Sequence, residues 1–427
     1  MFSARTRSLI PACALVAGLA IPATANATNY VSPSPVVAGG KSCAQPSFNS
    51  VQAALNAQGG SKVIVCPGTY TEQVTITKGA KLVGAGTAGS AKLQLPASPA
   101  NSATACDKAV TEAGFQADQD EVSICTSEPV SITGITVEAK WPEGTCYDSL
   151  YGIRVAGGGL LTATNVTVAG AGAAPINGCQ GGVGIQAGSS RTTPAQVGRL
   201  KLKGVTVSEY QKNGITIAGA GSSASITNAT VIGAGATTQI AQNGIQVSGG
   251  AVATIKSSKV SGNECDNAAC GPDGFSQTQS TGLLFFGAAP GSTVSSSTLS
   301  GNDIGTYYVS ESSSQPTKPE LALSKDVYTG NRYEGVSLDQ GDAVLKGLRI
   351  NGPGEVGIEL LQYEGQTLSS QSSATSTKIE GMSEAGIRVA SDNAAGDIPG
   401  KFSLSKTMFN GNATVLKNES STFEVVF

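Results

Sequence analysis

The stretch Gly152-Ile153-Arg154-Val155 returns along the chain as Gly184-Ile185-Gln186-Ala187, Gly214-Ile215-Thr216-Ile217 and Gly244-Ile245-Gln246-Val247. Looser copies begin at Gly282, Gly305, Gly335, Gly357 and Gly386, so successive glycines stand 32, 30, 30, 38, 23, 30, 22 and 29 residues apart. Self-similarity at this period means a solenoid, in which each unit buries its apolar face only against its neighbours. Further strands follow each phrase, such as Ala163–Val168, Leu202–Val207 and Ile226–Val231. Gly-Asn pairs close several of them (Gly262-Asn263, Gly301-Asn302, Gly330-Asn331, Gly411-Asn412), and these residue types tolerate the backbone of a sharp corner. Strand, turn and strand with no helix between predicts an all-β, single-stranded right-handed parallel β-helix of about ten or eleven rungs, with neighbouring rungs ~4.8 Å apart.

Outward from the repeat, residues 1–27 read as a secretory signal, with Arg5 and Arg7, an apolar run from Ile10 to Ile21 and the small-residue end Ala25-Asn26-Ala27. Residues 28–46 read as a flexible leader. The β-helix domain then spans 47–427, opened by a capping helix over 47–57 with Ser47 at its start and Phe48, Val51, Ala54 and Leu55 on one face. Residues 90–130 read as an insertion stapled by its own disulfide, with acids at Glu112, Asp118, Asp120 and Glu121.

Removal of the signal leaves 25 basic and 30 acidic residues, a net charge of −5, which excludes nucleic-acid binding by bulk electrostatics. No later segment has membrane length, so no insertion in a membrane is expected. Eight cysteines remain: Cys43, Cys66, Cys106, Cys125, Cys146, Cys179, Cys265 and Cys270. An even number in an exported chain reads as disulfides. Neighbours in sequence are neighbours in space along a solenoid, which favours pairing them in sequence order. Zinc is the rival reading, but there is no histidine and no CxxC pair.

Side chains alternate along a strand. If Ile153 and Val155 fill the coil, Arg154 faces solvent. The outward stripe then reads Arg154, Gln186, Thr216, Gln246, Leu284, Tyr307, Ser337, Glu359, Arg388, with Asp339 beside Ser337. Arg154, Gln186, Gln246, Tyr307 and Ser337 are the candidates for binding substrate. Asp339 and Glu359, on neighbouring rungs with Arg332, Glu334 and Arg388 nearby, are the candidate catalytic group. Two carboxylates about 5 Å apart can divide acid and nucleophile roles. Alternatively they would hold calcium, the one cofactor considered, through oxygen ligands. The competing reading is an ordinary solvated sheet face.

The run Ile64-Val65-Cys66-Pro67-Gly68-Thr69-Tyr70-Thr71-Glu72, followed by Leu82-Val83-Gly84-Ala85-Gly86, resembles the opening of the pectate-lyase-like superfamily. The resemblance covers most of 48–412 and implies the fold and sugar binding along a strand face. It carries over no catalytic residues. The aspartate motifs of pectin methylesterases and the Asp-Asp of polygalacturonases are missing, a Gly-His-Gly cannot occur without histidine, and no calcium-binding motif of pectate lyases is found. The expectation is a secreted monomer that binds an extracellular or cell-wall polysaccharide. A lyase or hydrolase of a uronate-rich glycan and a structural surface protein are the alternatives.

Overall fold

The computed structural model describes residues 28–57, 62–100, 104–106, 119–141, 146, 149–190, 195–272, 277–310, 320–362, 371–392 and 399–427. The signal expected over 1–27 lies outside them, as does the stretch 107–118 of the insertion. The described chain forms three long parallel sheets and one short helix. Sheet A has 14 strands, and sheets B and C have 12 each, so the coil is longer than the ten or eleven rungs read from the sequence. Each full rung contributes three strands rather than two.

The third strand is hidden in the sequence because alternation carries across a corner. Ala163–Val168 looks like one strand, yet Gly159–Thr164 belongs to sheet A and Thr167–Gly172 to sheet B. Between them Asn165 takes a left-handed backbone, φ 50°. The same conformation returns at Gly204, Asn228, Ser257, Ser296, Lys325, Gly347, Ser376 and Lys406. The A-to-B connection is two residues long each time, from Asn165-Val166 to Lys406-Thr407. A β-branched residue resists this backbone, and none stands there.

The B-to-C corner is held by side chains. Asn263 Nδ2 donates to Asn302 Oδ1 at 2.8 Å, and Asn302 Nδ2 donates to Asn331 Oδ1 at 3.0 Å. Tyr210 Oη caps the file by donating to Asn263 Oδ1 at 2.6 Å. In each Gly-Asn pair the glycine takes the positive φ, and at 263, 302 and 331 the asparagine turns inward, where its amide meets one rung's backbone and the next rung's side chain.

The glycines of the repeated phrase have a steric cause. A Cβ on Gly152, Gly184 or Gly214 would stand 2.5 Å from Val168, Val207 or Val231 of sheet B. The following Ile and Val fill the coil. Ile153, Ile185, Ile215 and Ile245 stack in register, as do Val155, Ala187, Ile217 and Val247, and all are buried.

Near the amino terminus, Thr28–Val31 is a strand that pairs with Lys62–Val65, so the segment read as a flexible leader begins as the first strand of sheet A. The helix runs Val51–Ala57, starting later than expected. Its cap is Ser50, whose Oγ accepts from Ala53 N at 3.2 Å, while Ser47 Oγ accepts from Tyr30 N. Within the expected insertion, Ala91–Gln94 and Gln119–Cys125 are regular strands of the coil. The four disulfides are Cys43–Cys66, Cys106–Cys125, Cys146–Cys179 and Cys265–Cys270, the pairing in sequence order.

Candidate functional site

The connections locate the variable part of the molecule. From Asn165 onward those from A to B are constant, whereas those that enter and leave sheet C differ widely in length: Cys265 to Thr281 on one side, Val309 to Leu321 on the other. Sheet C is therefore the face flanked by loops, and loops on a rigid scaffold are where binding residues concentrate.

The expected stripe is continuous on sheet C. Arg154, Gln186, Thr216, Gln246, Leu284, Tyr307, Ser337, Glu359 and Arg388 are successive register partners. They project outward, but much of the stripe is not solvated. Arg154 is 4 % exposed and Ser337 1 %, and Gln186 and Thr216 are also buried. Alternation determines the side of a sheet on which a residue stands, not whether other groups cover it. Arg154 Nη1 lies 3.6 Å from Asp120 Oδ2, and Arg154 Nη2 donates to the Cys106 carbonyl at 3.4 Å. Gln186 turns back to the Gly188 carbonyl at 2.7 Å. These two residues and Ser337 are thus withdrawn from a ligand surface.

The catalytic candidates separate into two groups. Arg332 does not meet Glu359. It forms a strut to the disulfide loop: its Nε donates to Asp303 Oδ1 at 2.9 Å, Nη1 pairs with Asp266, and Nη2 bonds Asp303 Oδ1 at 2.5 Å and the Cys265 carbonyl. Asp303 is fully buried and also accepts from Cys265 N and Ser280 N. Asp339 is 4 % exposed and pairs in register with Leu361, two residues beyond Glu359.

Arg388 and Glu359 do come together. Arg388 Nη1 lies 3.4 Å from Glu359 Oε1 and 3.9 Å from Glu384 Oε2, and its Nη2 lies 3.4 Å from Glu419 Oε2. Lys417 joins Glu384 and Glu419 at 2.5 and 2.9 Å. Glu359 is 2 % exposed. Burial raises its pKa above the ordinary carboxylate range, Arg388 opposes the shift and Glu384 adds to it. The carboxyl that the stripe missed is Glu334, which starts its strand one column away. It is 1 % exposed, and its Oε2 has no hydrogen-bond partner. Burial first, and the negative Glu359 second, hold its pKa well above the usual range. Its sequence signal was its place just before Gly335, where other rungs carry Asn213, Asn243 and Thr281. Those residues form a polar file, with Asn243 Nδ2 donating to Asn213 Oδ1 at 3.0 Å and Thr281 Oγ1 donating to Asn243 Oδ1 at 2.7 Å.

Glu334, Glu359 and Asp339 are 1 %, 2 % and 4 % exposed. No group of three or more His, Cys, Asp or Glu that could hold a metal ion occurs among the described residues. What sheet C does offer a ligand lies at mid-length. Gln246, Leu284 and Tyr307 are register partners and half-buried, and Phe286 beside them is 44 % exposed. Gln246 is held from both sides, accepting from Asn213 Nδ2 at 2.9 Å and donating to Ser248 Oγ at 3.2 Å.

Residues 182–372 match the family model described as the right handed beta helix region. The fold is a right-handed parallel β-helix. Among solved structures, the catalytic domain of a GH87 alpha-1,3-glucanase variant in complex with tetrasaccharides aligns with a TM-score of 0.61 at 12% identity, covering 92% of this chain and 67% of that one. The same catalytic domain in complex with nigerose aligns at 0.57 and 12% identity, with the same coverage of 92% and 67%. No curated protein matches. At such identities the β-helix likeness is one of fold. No helix of the described residues is long and apolar enough to cross a membrane.

Proposed function

We propose that the protein binds an extracellular polysaccharide on the outer face of sheet C, at the patch formed by Gln246, Leu284, Phe286 and Tyr307. The observation that carries this reading is the outward, partly open stack of an amide, an aliphatic chain and two aromatic rings on consecutive rungs. A pyranose has an apolar face of C–H groups and a polar rim. The rings suit the first, since aromatic groups contribute much of the contact energy at such surfaces. The held amide of Gln246 suits the second. Glycan-complexed enzymes of like fold support the substrate class, and the four disulfides support an oxidising, extracytoplasmic setting.

Binding is preferred to hydrolysis because the carboxyl groups of Glu334, Glu359 and Asp339 are buried. Retention on immobilised neutral and acidic polysaccharides tests the proposal, with reducing ends and unsaturated products measured in the same samples. The expected result is retention without product, weakened about tenfold in Phe286→Ala, as for an aromatic contact of ~1.4 kcal/mol. Retention unchanged in both Phe286→Ala and Tyr307→Ala would sink the proposal. Product formation abolished by Glu359→Gln would establish the enzymatic alternative.

A further inference from the structure

Basic residues are spread unevenly over the sheets. The strands of sheet A bear Lys62, Lys81, Arg199, Lys201, Lys203, Lys256, Lys346 and Lys401 against the single acid Glu424. Those of sheet C bear five acids (Asp120, Glu121, Glu334, Asp339, Glu359) against three cations (Arg154, Arg388, Lys417). On a chain with net negative charge, the basic residues are gathered on one side.

They are gathered most tightly along the corner between sheets A and B. Lys203, Lys256 and Lys346 end sheet A strands in one register column, and Lys325 and Lys406 occupy the left-handed corner position just past it. Successive members of this file are two, two, one and two rungs apart, about 5–10 Å at the rung spacing. Lys259, Arg349 and Lys378 run alongside at the starts of sheet B strands. All five of the file are exposed and none has an ion pair among the described residues. Between them the outward positions present hydroxyls, such as Thr227, Thr254, Ser295, Ser324 and Thr375.

We propose that this ridge docks a linear acidic polysaccharide lying along the coil axis. Spaced cations alternating with hydroxyls complement a polymer of spaced anions and abundant hydroxyl groups. Lysines are compact point charges without the planar fork of arginine, which suits a chain held by charge along its length rather than by one registered group. Duplex DNA, with a phosphate every ~3.4 Å per strand, is charged more densely than the ridge. Single-stranded nucleic acid is gripped by stacking on aromatic rings, and no aromatic side chain projects from sheet A between Lys203 and Thr375. The proposal does not depend on the patch of sheet C, which lies on a different face.

The experiment measures retention of the full chain on polygalacturonate, with duplex DNA and a neutral glucan as controls, across a salt series. The wild type should bind polygalacturonate with an affinity that falls steeply with salt. The quadruple variant Lys203→Gln, Lys256→Gln, Lys346→Gln, Lys406→Gln should weaken binding at low salt at least tenfold and reduce the log–log salt slope by about three, at ~0.7 per contact. The corresponding quadruple Lys→Arg variant should retain both. Phe286→Ala should leave the salt slope unchanged, which separates this surface from the sheet C patch. Thermal unfolding of the variants should match the wild type, since the lysines have no ion pairs. Absence of salt-dependent retention, equal binding by the Gln variant, or capture of duplex DNA as strong as that of polygalacturonate would each overturn the proposal.

Discussion

Glu334 and Glu359 stand in the same relation, one rung apart and three residues offset, as Asn213 and Gln246, which a 2.9 Å hydrogen bond joins. Two amides in that relation satisfy each other; two carboxylates do so only by sharing a proton. Both carboxyl groups have their pKa raised, chiefly by burial. A carboxyl raised in the folded state contributes stability below its unfolded pKa and loses it as pH rises through the folded value.

The expected consequence is a protein that loses stability as pH climbs above the ordinary carboxylate range, and Glu334→Gln should blunt that loss. Thermal unfolding at pH 8 should show the variant more stable by about 1–3 kcal/mol, the cost of an unsatisfied buried group, with little difference at pH 4.5. Parallel pH profiles for the two proteins would refute the shared proton.

Glu121 offers a second titration at the other end of the coil. It faces Gly152 in register, at the head of the column of repeat glycines that runs to Gly386, is fully buried, and neither oxygen has a hydrogen-bond partner. Burial, then the charge of Glu72, hold its pKa well above normal. By the same sign, Glu121→Gln should raise the unfolding midpoint at pH 8 and leave it unchanged near pH 4. A lower midpoint at pH 8 would show that the carboxylate is accommodated after all.

Glu72 closes the helix from a distance. Its Oε1 accepts from Val51 N at 2.7 Å, and its Oε2 accepts from Gln52 N at 3.0 Å and from Ser50 Oγ at 2.6 Å. Glu72→Ala should cost about 1–2 kcal/mol, the usual worth of a cap. Hydrogen exchange should localise the effect to Val51–Ala57 and the strand Thr28–Val31 beside it; a loss spread evenly over the coil would contradict this.

Asn302 is the middle of the corner ladder. It receives the backbone N–H of Asn263 at 3.3 Å as well as that residue's amide. Asn302→Ala would orphan buried groups on two rungs, a cost of about 1–3 kcal/mol for each group left unpaired. Nearest-neighbour coupling in a solenoid places the damage around rungs 263–331, which protection from proteolysis would map.

The fold was legible because the glycine phrase has a steric cause that recurs from rung to rung, with Val168, Val207 and Val231 each excluding a Cβ. The hydrogen bonds between distant residues were not legible. Glu72 caps a helix 21 residues earlier, and nothing local marks it. The stripe was legible as a column but not as a surface, because Arg154 needs Cys106 and Asp120 to become buried. Asp339 and Arg332 were grouped with Glu359 on strand spacing alone. Glu334 was legible as a neighbour of Glu359 but stands one column away, and its importance arises from what is missing around its Oε2.

The two-residue passage from sheet A to sheet B gives the chain an index mark. Steps between repeat glycines vary from 22 to 38 residues, yet the passage Asn165-Val166 is matched in length by Asn228-Ala229 and Lys325-Asp326. From Asn165 onward every insertion is therefore spent around sheet C, and the opposite edge keeps a uniform pitch. One edge of this molecule can serve as a ruler while the other changes its reach, so a whole turn cut and rejoined at two such marks, at Asn228 and Ser257 for instance, would leave the remaining turns in phase.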